Sequence, residues 1–302
     1  MQSKWILIDW GTSNFRAWLV EASTGNILDE IKSGLGMAVL SRSEFPDYCL
    51  SQIGSWRSGL LHPVYMAGMV GAGDGWQLAP HLSLPLNVER LAEQIVAVED
   101  LEQGWIIPGA RIDSECPDIM RGEEVQIFGA LSLSERDNAL LCLPGTHSKW
   151  ARVGTGILQQ FTTSMTGEIY NLMLKYSLSG RGSRSGDLSS SAFDSGLAEV
   201  TMPRGILHHL FSARPRTLYA GLTPDEIPSY LSGVLIGHEV AAMQDIYPPD
   251  GQDLLLVSSS ILRIPYERAL RRAGYRPYWI DSKLASLRGV SLVINHSWKI
   301  QT

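Results

Sequence analysis

The feature that most constrains this chain is a short glycine-threonine turn that occurs twice between apolar segments. Gly11-Thr12 follows one apolar run, and Gly145-Thr146 follows another, 134 residues further on (145 − 11 = 134). Each copy continues with a further apolar run and a second glycine turn, Gly25 in the first copy and Gly156 in the second. Strand, turn, strand, turn and strand is the pattern of an antiparallel meander. The sequence therefore predicts two related halves.

Helical patterns fill the rest of the chain, so the sequence predicts a mixed α/β fold. The predicted helices begin with a glycine or a proline and carry apolar residues at helical spacing: Gly122–Ser134, Pro228–Gln244 and Pro265–Ala273. The segment Ser179–Ser195 is rich in Gly, Ser and Arg, and this composition predicts an exposed loop.

Composition and charge narrow the class of protein. The chain has 302 residues, 44% of them hydrophobic and 19% charged, which is typical of a compact globular protein. A formal net charge of −6 argues against a nucleic-acid surface. We find no secretory signal and no apolar run near the roughly 20 residues of a membrane span, so we expect a cytoplasmic protein without a membrane partner. The three cysteines are expected to be small buried hydrophobes.

The two turns have an evident chemical use. Glycine lets the backbone approach a ligand, and exposed N–H groups and small hydroxyls can bind phosphate oxygens. Either turn alone is explained as well by an ordinary hairpin, but their duplication favours a phosphate clamp. The predicted phosphate-binding residues are Gly11, Thr12, Ser13, Asn14, Gly145, Thr146, His147, Ser148 and Lys149. For the lysine, which could contact phosphate as a point charge, the alternative is a solvated position on a strand.

Asp9 stands immediately before the first turn. A carboxylate there could hold Mg²⁺, directly or through water, against bound phosphates. The alternative is a turn-capping aspartate. Because the second copy has Pro144 near this point, only one half offers the carboxylate, which favours a functional Asp9.

Arg121-Gly122-Glu123-Glu124 precedes a predicted helix. Glu123 could be a general base that accepts a proton from an attacking hydroxyl, or it could be a helix cap, since the dipole favours a carboxylate there. Arg121 could pair with a substrate carboxylate in bidentate fashion.

Two further segments are candidates for substrate contacts. The glycine-dense stretch Met66–Trp76 lacks the Gly-Lys-Ser/Thr of a Walker A loop. It is interpreted as a flexible loop that lines a ligand pocket, with a long surface loop as the alternative. A turn at Thr166-Gly167-Glu168 is the second segment. The predicted substrate-binding residues are Met69, Gly71, Trp76, Arg121, Thr166 and Glu168.

The duplicated turn with an aspartate before its first copy resembles the superfamily of actin, hexokinase and the heat-shock chaperone ATPase domain. The Gly122-Glu123 pair, followed by Phe128-Gly129, looks like the corresponding segment of glycerol-kinase-like enzymes. Within the superfamily the chain most resembles the 2-dehydro-3-deoxygalactonokinase family. The similar segments run nearly from end to end: Ile8–Asn14, Gly68–Gly71, Gly75-Trp76, Met120–Glu124, Leu143–Trp150, Met165–Glu168 and Tyr230–Glu239.

This resemblance implies two similar actin-like (ribonuclease-H-like) ATPase domains, with mixed sheets flanked by helices and a central nucleotide cleft. Residues 1–136 would carry the first phosphate loop, the substrate loop and the catalytic glutamate. Residues 137–302 would carry the second loop and the adenosine site, with the last helix crossing back. Ser258-Ser259-Ser260 stand where the superfamily often has a Gly-Gly pair, so Ser258 and Ser259 are expected beside the nucleotide.

The resemblance also implies an activity: transfer of the γ-phosphate of Mg·ATP to the 6-hydroxyl of 2-dehydro-3-deoxy-D-galactonate, in galactonate catabolism. Glu123 would be the base, with Glu124 as the neighbouring candidate. The alternatives are an exopolyphosphatase-like phosphoanhydride hydrolase and a non-catalytic actin-like nucleotide-binding module. The stereochemistry of the sugar acid stays open, as does the choice between a monomer and a homodimer.

Overall fold

The computed structural model describes residues 4–184 and 186–301. Its strands are β1 Lys4–Trp10, β2 Phe15–Glu21, β3 Ile27–Ile31, β4 Val64–Ala67, β5 His81–Ser83, β6 Val96–Ala97, β7 Gly104–Ile106, β8 Gly109–Ile112, β9 Asp118–Met120, β10 Ala139–Leu143, β11 Ser148–Gly154, β12 Ile157–Ser164, β13 Asp253–Ser258 and β14 Arg276–Asp281. Its helices are α1 Phe45–Arg57, α2 Val88–Glu93, α3 Glu123–Ser134, α4 Thr166–Tyr176, α5 Ser190–Glu199, α6 Gly205–Phe211, α7 Ala213–Tyr219, α8 Ile227–Ile246, α9 Ser260–Arg272 and α10 Ser282–Gln301.

The chain divides into two compact units, and each contains segments from distant parts of the sequence. The first unit comprises Met1–Ala139, Ala151–Phe161 and Ser282–Thr302, so α10 belongs to it. The second comprises Leu140–Trp150 and Thr162–Asp281. The expected domain boundary after residue 136 stays a prediction.

A six-stranded mixed sheet in the order β3-β2-β1-β4-β7-β6 forms the centre of the first unit. β1, β2 and β3 are antiparallel, as the repeat predicted, whereas β4 runs parallel to both β1 and β7. β1 is central and nearly all buried, which explains its continuous apolar run. Its end places Asp9 opposite Arg16 and Trp10 opposite Phe15.

Helices α3 and α10 of the first unit pack closely through two glycines. A Cβ at Gly129 of α3 would overlap the carbonyl oxygen of Ala285, and one at Gly289 of α10 would overlap that of Val125. Side chains at these two positions would force the helices apart, so the glycines fix the seat of α10 on α3. A small sheet in the order β5-β8-β9 precedes α3, and Arg121 and Gly122 connect the two.

The other large sheet has the order β12-β11-β10-β13-β14, in which β10, β13 and β14 are parallel. α8 is apolar on nearly every side and lies in the interior of the second unit. Leu197, Ile236, Val240 and Tyr247 are members of its hydrophobic core. None of the helices in the described ranges combines the length and the apolar character needed to cross a bilayer.

Three local predictions are wrong. α9 begins at Ser260 and not at Pro265, because Ser259 is its N-cap and the proline is accommodated inside the helix. The predicted loop Ser179–Ser195 is helical from Ser190 onward, where the Ser189 side chain caps α5 through the backbone N–H of Ala192. Cys116 is exposed, whereas the other two cysteines are buried as expected.

Candidate active site

The first glycine-threonine loop is a tight turn that leaves its side chains exposed. The backbone N–H of Gly11 donates to the carbonyl of Asn14 at 2.9 Å and closes the turn. Met37 and Ala38 donate backbone N–H groups to the carbonyls of Gly11 and Thr12 at 3.1 and 3.0 Å. The side chains of Thr12, Ser13 and Asn14 remain at the surface. The loop therefore offers hydroxyls and an amide on a supported backbone.

Asp9 forms an ion pair across the β1–β2 hairpin. Arg16 Nη2 lies 2.5 Å from Asp9 Oδ2, so a metal at this carboxylate would share it with a guanidinium. No cluster of three or more His, Cys, Asp or Glu side chains suited to a metal ion exists in residues 4–184 and 186–301. A lone carboxylate suits Mg²⁺, which keeps several waters and binds through substrate phosphates.

The second loop exposes only its first part. Thr146 and His147 lie at the surface, whereas the Ser148 hydroxyl is turned inward, 2.9 Å from the hydroxyl of Tyr266. Lys149 is 4% exposed, so the alternative of a solvated strand lysine is wrong. The predicted phosphate contact through the Ser148 hydroxyl is likewise wrong, because the contact with Tyr266 holds that hydroxyl in the interior.

The second loop is joined to the start of α4. Glu168 donates its backbone N–H to the Thr146 carbonyl at 2.9 Å, and its Oε2 lies 2.6 Å from His147 Nε2. Thr166-Gly167-Glu168, predicted as a turn, is the first turn of this helix. Thr166 is buried and donates its hydroxyl to Glu239, so its side chain is held in the interior.

The two glutamates at the start of α3 differ in burial. Gly122, with φ +105°, lets the chain turn into the helix. Glu123 is half-buried and accepts from the backbone N–H of Arg121 at 3.1 Å. Glu124 is fully buried, and burial, reinforced by the charge of Glu123, raises the pKa of Glu124 to about 8. Both side chains accept from backbone N–H groups that precede the helix, and the choice between a cap and a general base for Glu123 stays a prediction.

Arg121 is a buried cation with an unused donor. It is 8% exposed, and its Nη2 donates to the Ala79 carbonyl at 2.8 Å and lies 3.3 Å from His81 Nδ1. Burial and the guanidinium charge lower the pKa of His81 to about 4, so its neutral Nδ1 can accept. Arg121 Nη1 has no hydrogen-bond partner among the described residues. A donor that is buried and unpaired in this way is costly unless a ligand or water completes it.

The glycine-dense stretch is ordered by its own hydrogen bonds. Met69–Gly71 form a 3₁₀ turn, and the backbone N–H of Trp76 donates to the Val70 carbonyl at 2.9 Å. The Trp76 ring stacks on Phe45 with ring centroids 6.5 Å apart and belongs to the core of the first unit. Its predicted place as the wall of an open pocket is therefore wrong, because a large aromatic ring gains more from burial in the core.

A cavity of about 240 Å³ lies within the second unit, where α4, α8 and α9 meet. It is lined by Gly145 of the second loop and by residues of the three helices and their flanking segments, among them Thr166, Tyr170, Ser232, Leu235, Ile261 and Tyr266. Ser258 and Ser259 do not line it: Ser258 is buried and accepts from the Trp279 indole, and Ser259 occupies the N-cap position of α9.

Glu239, which lies in α8 and bonds to two residues of the cavity wall, was not among the predicted functional residues. The carboxylate accepts from Trp150 Nε1 at 2.9 Å, from Tyr266 OH at 2.7 Å and from the Thr166 hydroxyl. The available signal was a carboxylate in the middle of a largely apolar helix, since such a group needs several donors in the interior.

The fold is that of the actin-like ATPases and the sugar kinases related to them. A dehydratase activator from Clostridium difficile with bound ADPNP superposes with a TM-score of 0.55 at 11% identity, covering 99% of this chain and 97% of that one. A ROK family glucokinase from Streptomyces griseus, in complex with glucose and AMPPNP, superposes with a TM-score of 0.50 at 10% identity, covering 98% and 100%.

The chain belongs to the 2-keto-3-deoxy-galactonokinase family, whose sequence signature matches residues 9–293. It is 36% identical over 276 residues to the 2-dehydro-3-deoxygalactonokinase of Escherichia coli K12, covering 91% of each chain. A solved structure from Sinorhizobium meliloti, to which the same activity is attributed, has a TM-score of 0.87 at 30% identity and covers 97% of this chain and 99% of that one. The family resemblance predicted from the motifs is confirmed.

Proposed function

We propose that this chain transfers the γ-phosphate of ATP to the 6-hydroxyl of 2-dehydro-3-deoxy-D-galactonate, in galactonate catabolism. The observation that carries the proposal is the family match over residues 9–293, which spans both glycine-threonine loops and the Gly122-Glu123 pair. Phosphoryl transfer depends mainly on positioning and charge neutralisation, and these segments supply the groups for both.

Each of the two loops would bind phosphate oxygens, and the cavity of the second unit would bind the nucleoside. Gly11–Asn14 and Gly145–His147 present backbone and small polar groups for phosphate oxygens. The cavity at α4, α8 and α9 has apolar walls and includes Gly145, so we assign it to the nucleoside. Ser258 and Ser259 would act by shaping the start of α9.

Asp9 is the residue that would hold Mg²⁺. The bound ion supplies positive charge that offsets the charge of the phosphates during transfer. Arg16 holds the Asp9 carboxylate at the end of β1 and partly neutralises its charge. Asp9 can therefore remain beside the first loop when no metal ion is bound.

Glu123 is the better candidate for the general base. Glu124 has no exposed surface, and both of its oxygens accept from the backbone N–H of Gly122, at 2.9 and 2.8 Å. With a pKa raised to about 8, Glu124 is largely protonated at neutral pH and cannot readily accept a proton. Glu123 is only half-buried, and we assign it the role of accepting the proton of the substrate hydroxyl.

Arg121 would contact the carboxylate of the sugar acid. Its unpaired Nη1 is the free donor of a guanidinium whose other arm is already fixed by Ala79 and His81. The turn Met69–Gly71 packs beside it: a Cβ at Gly71 would come within 2.9 Å of Nη1. Met69 and Gly71 would therefore border the acid, while Trp76 supports them from the core. Glu168 would orient the His147 side chain through their hydrogen bond. Thr166 would fix the start of α4 through its hydrogen bond to Glu239.

A coupled assay of ADP release across a panel of 2-keto-3-deoxy sugar acids tests this proposal. We expect ADP release that depends on the galactonate-type acid and is slower with the gluconate-type epimer. ADP release without any acid, or hydrolysis of polyphosphate, would indicate a phosphoanhydride hydrolase instead. Nucleotide binding without transfer to any acid would indicate a non-catalytic module.

A further inference from the structure

Glu239 is a carboxylate held in the interior of the second unit. It is 5% exposed and lies in α8, a helix made largely of apolar residues. An uncompensated carboxylate here would be strongly destabilising, and three hydrogen bonds from Trp150, Thr166 and Tyr266 compensate it. These donors come from three separate elements, β11, α4 and α9.

The donor and the acceptor of each hydrogen bond are defined, from Glu239 as far as Ser148 of the second loop. The Trp150 indole can only donate. Because Tyr266 donates its hydroxyl hydrogen to Glu239, its oxygen accepts from the Ser148 hydroxyl, 2.9 Å away. Glu239 thereby fixes the orientation of both residues that flank Lys149.

The same carboxylate also fixes the wall of the cavity. Thr166 and Tyr266 line it together with Gly145, the first residue of the second loop. Glu239 is therefore hydrogen-bonded to two residues that border the predicted nucleoside site, Thr166 and Tyr266. Through Tyr266 it is also linked to Ser148 of the predicted phosphate loop. All the residues that form these hydrogen bonds belong to the second unit.

We propose that Glu239 is a positioning residue for the nucleotide, which sets the second loop and the cavity wall in register before ATP binds. This inference rests on the proposed function. A change in KM can be measured only if the chain has the sugar-acid kinase activity, whereas a change in Kd requires only that the second loop and the cavity bind ATP. Glu239 acts through Ser148, Thr166 and Tyr266 and does not itself touch the substrates.

The test is Glu239→Gln in the full chain, measured as the Kd for a non-hydrolysable ATP analogue and as the two KM values. Glutamine keeps the volume but replaces one acceptor oxygen with a donor. Thr166 and Tyr266 must then reverse their hydroxyls, and Ser148 loses its acceptor. We expect Kd and KM for ATP to rise about tenfold, the effect of one lost hydrogen bond to a charged group, with KM for the sugar acid unchanged.

Glu199→Gln is the matched control. Glu199 is also buried in the second unit and accepts from a tyrosine and an arginine, Tyr230 at 2.9 Å and Arg216 at 2.5 Å, but it does not line the cavity. We expect this variant to lose thermal stability and to keep the affinity for ATP. An equal loss of ATP affinity in both variants would overturn the inference, because it would then be a general effect of buried carboxylates.

If Glu239→Gln fails to fold, Tyr266→Phe and its control Tyr230→Phe replace it. Phenylalanine keeps the ring in the cavity wall and removes only the hydroxyl that joins Ser148 to Glu239. We expect weaker ATP binding for Tyr266→Phe alone, and unchanged binding would overturn the inference. If the wild-type chain phosphorylates no sugar acid, the proposed function fails, but the comparison of Kd values still decides the role of Glu239.

Discussion

Glu123 and Glu124 are adjacent in the first turn of α3, yet only Glu124 has both carboxylate oxygens bonded to the backbone N–H of Gly122, at 2.9 and 2.8 Å. Glu123 instead accepts from Arg121 and keeps part of its surface exposed. The two carboxyl groups therefore have different environments and are expected to have different roles, one structural and one chemical.

Glu123→Gln should abolish most of the turnover. Removal of a general base costs about 10²- to 10⁴-fold in rate, so we expect kcat to fall by that amount while the Kd for ATP stays within about twofold. Steady-state kinetics together with equilibrium binding of an ATP analogue measure both quantities. Near-normal kcat in this variant would exclude Glu123 as the base.

Glu124→Gln is the matched control and carries its own prediction for stability. The pKa of Glu124 is about 8 in the native protein and near its ordinary value of 4.5 in the unfolded chain. Between these two values the native state holds one proton more, so raising the pH through this window lowers the free energy of unfolding, by at most about 1.4 kcal/mol per pH unit. Glutamine removes this dependence.

Urea unfolding of the wild type and of Glu124→Gln at pH 5, 6.5 and 8 measures the difference. We expect the variant to gain stability relative to the wild type as the pH rises. Parallel pH profiles would show that Glu124 does not hold its proton in the native protein.

Arg121→Lys should weaken binding of the sugar acid selectively. Lysine retains the charge, but its single ammonium group cannot both donate to the Ala79 carbonyl and present a fixed donor at the place of Nη1, so we expect KM for the acid to rise about tenfold or more and KM for ATP to change little. Arg111→Lys is the control, since Arg111 lies on β8, in the small sheet that precedes Arg121, and pairs with Asp113 at the surface. A similar rise for both variants would remove Arg121 from the substrate site.

Asp9→Asn and Arg16→Gln should shift the Mg²⁺ requirement in opposite directions. Loss of the carboxylate raises the Mg²⁺ concentration for half-maximal activity by about tenfold. Loss of Arg16 removes the cation that lies 2.5 Å from the same carboxylate, so the requirement should fall. A Mg²⁺ titration of both variants checks this, and a shift in the same direction would contradict the assignment of Asp9.

Ser232→Phe should block the cavity of the second unit. Ser232 lines the cavity of about 240 Å³, and a phenyl ring would occupy much of that space. We expect KM for ATP to rise at least about tenfold, because the nucleoside would lose its apolar contacts. Ala242→Phe adds the same ring to an exposed position of α8 and should leave KM for ATP unchanged; equal KM values in the two variants would argue against a nucleoside site here.

The parts of the fold that the sequence predicted are those encoded by local patterns. The repeated turns located β1, β2, β10 and β11, and the glycine before Glu123 located the start of α3. Capping signals and periodicity act over a few residues, so a single sequence displays them directly.

The parts that could not be predicted depend on residues far apart in the chain. The Ser148 hydroxyl turns inward because of Tyr266, which lies 118 residues later, and Glu239 accepts from Trp150, 89 residues earlier. Trp76 is buried because Trp10 and Phe45 surround it, although its own segment is glycine-rich. These contacts arise only when the core forms, so no local pattern predicts them.

Identification of the reaction product tests the central claim most directly. The purified chain would be incubated with ATP, Mg²⁺ and 2-dehydro-3-deoxy-D-galactonate, and the products analysed by phosphorus NMR. We predict one equivalent of ADP and a phosphate ester coupled to the protons on C6 of the acid. Release of inorganic phosphate with the acid left unmodified would contradict the claim that this chain is a sugar-acid kinase.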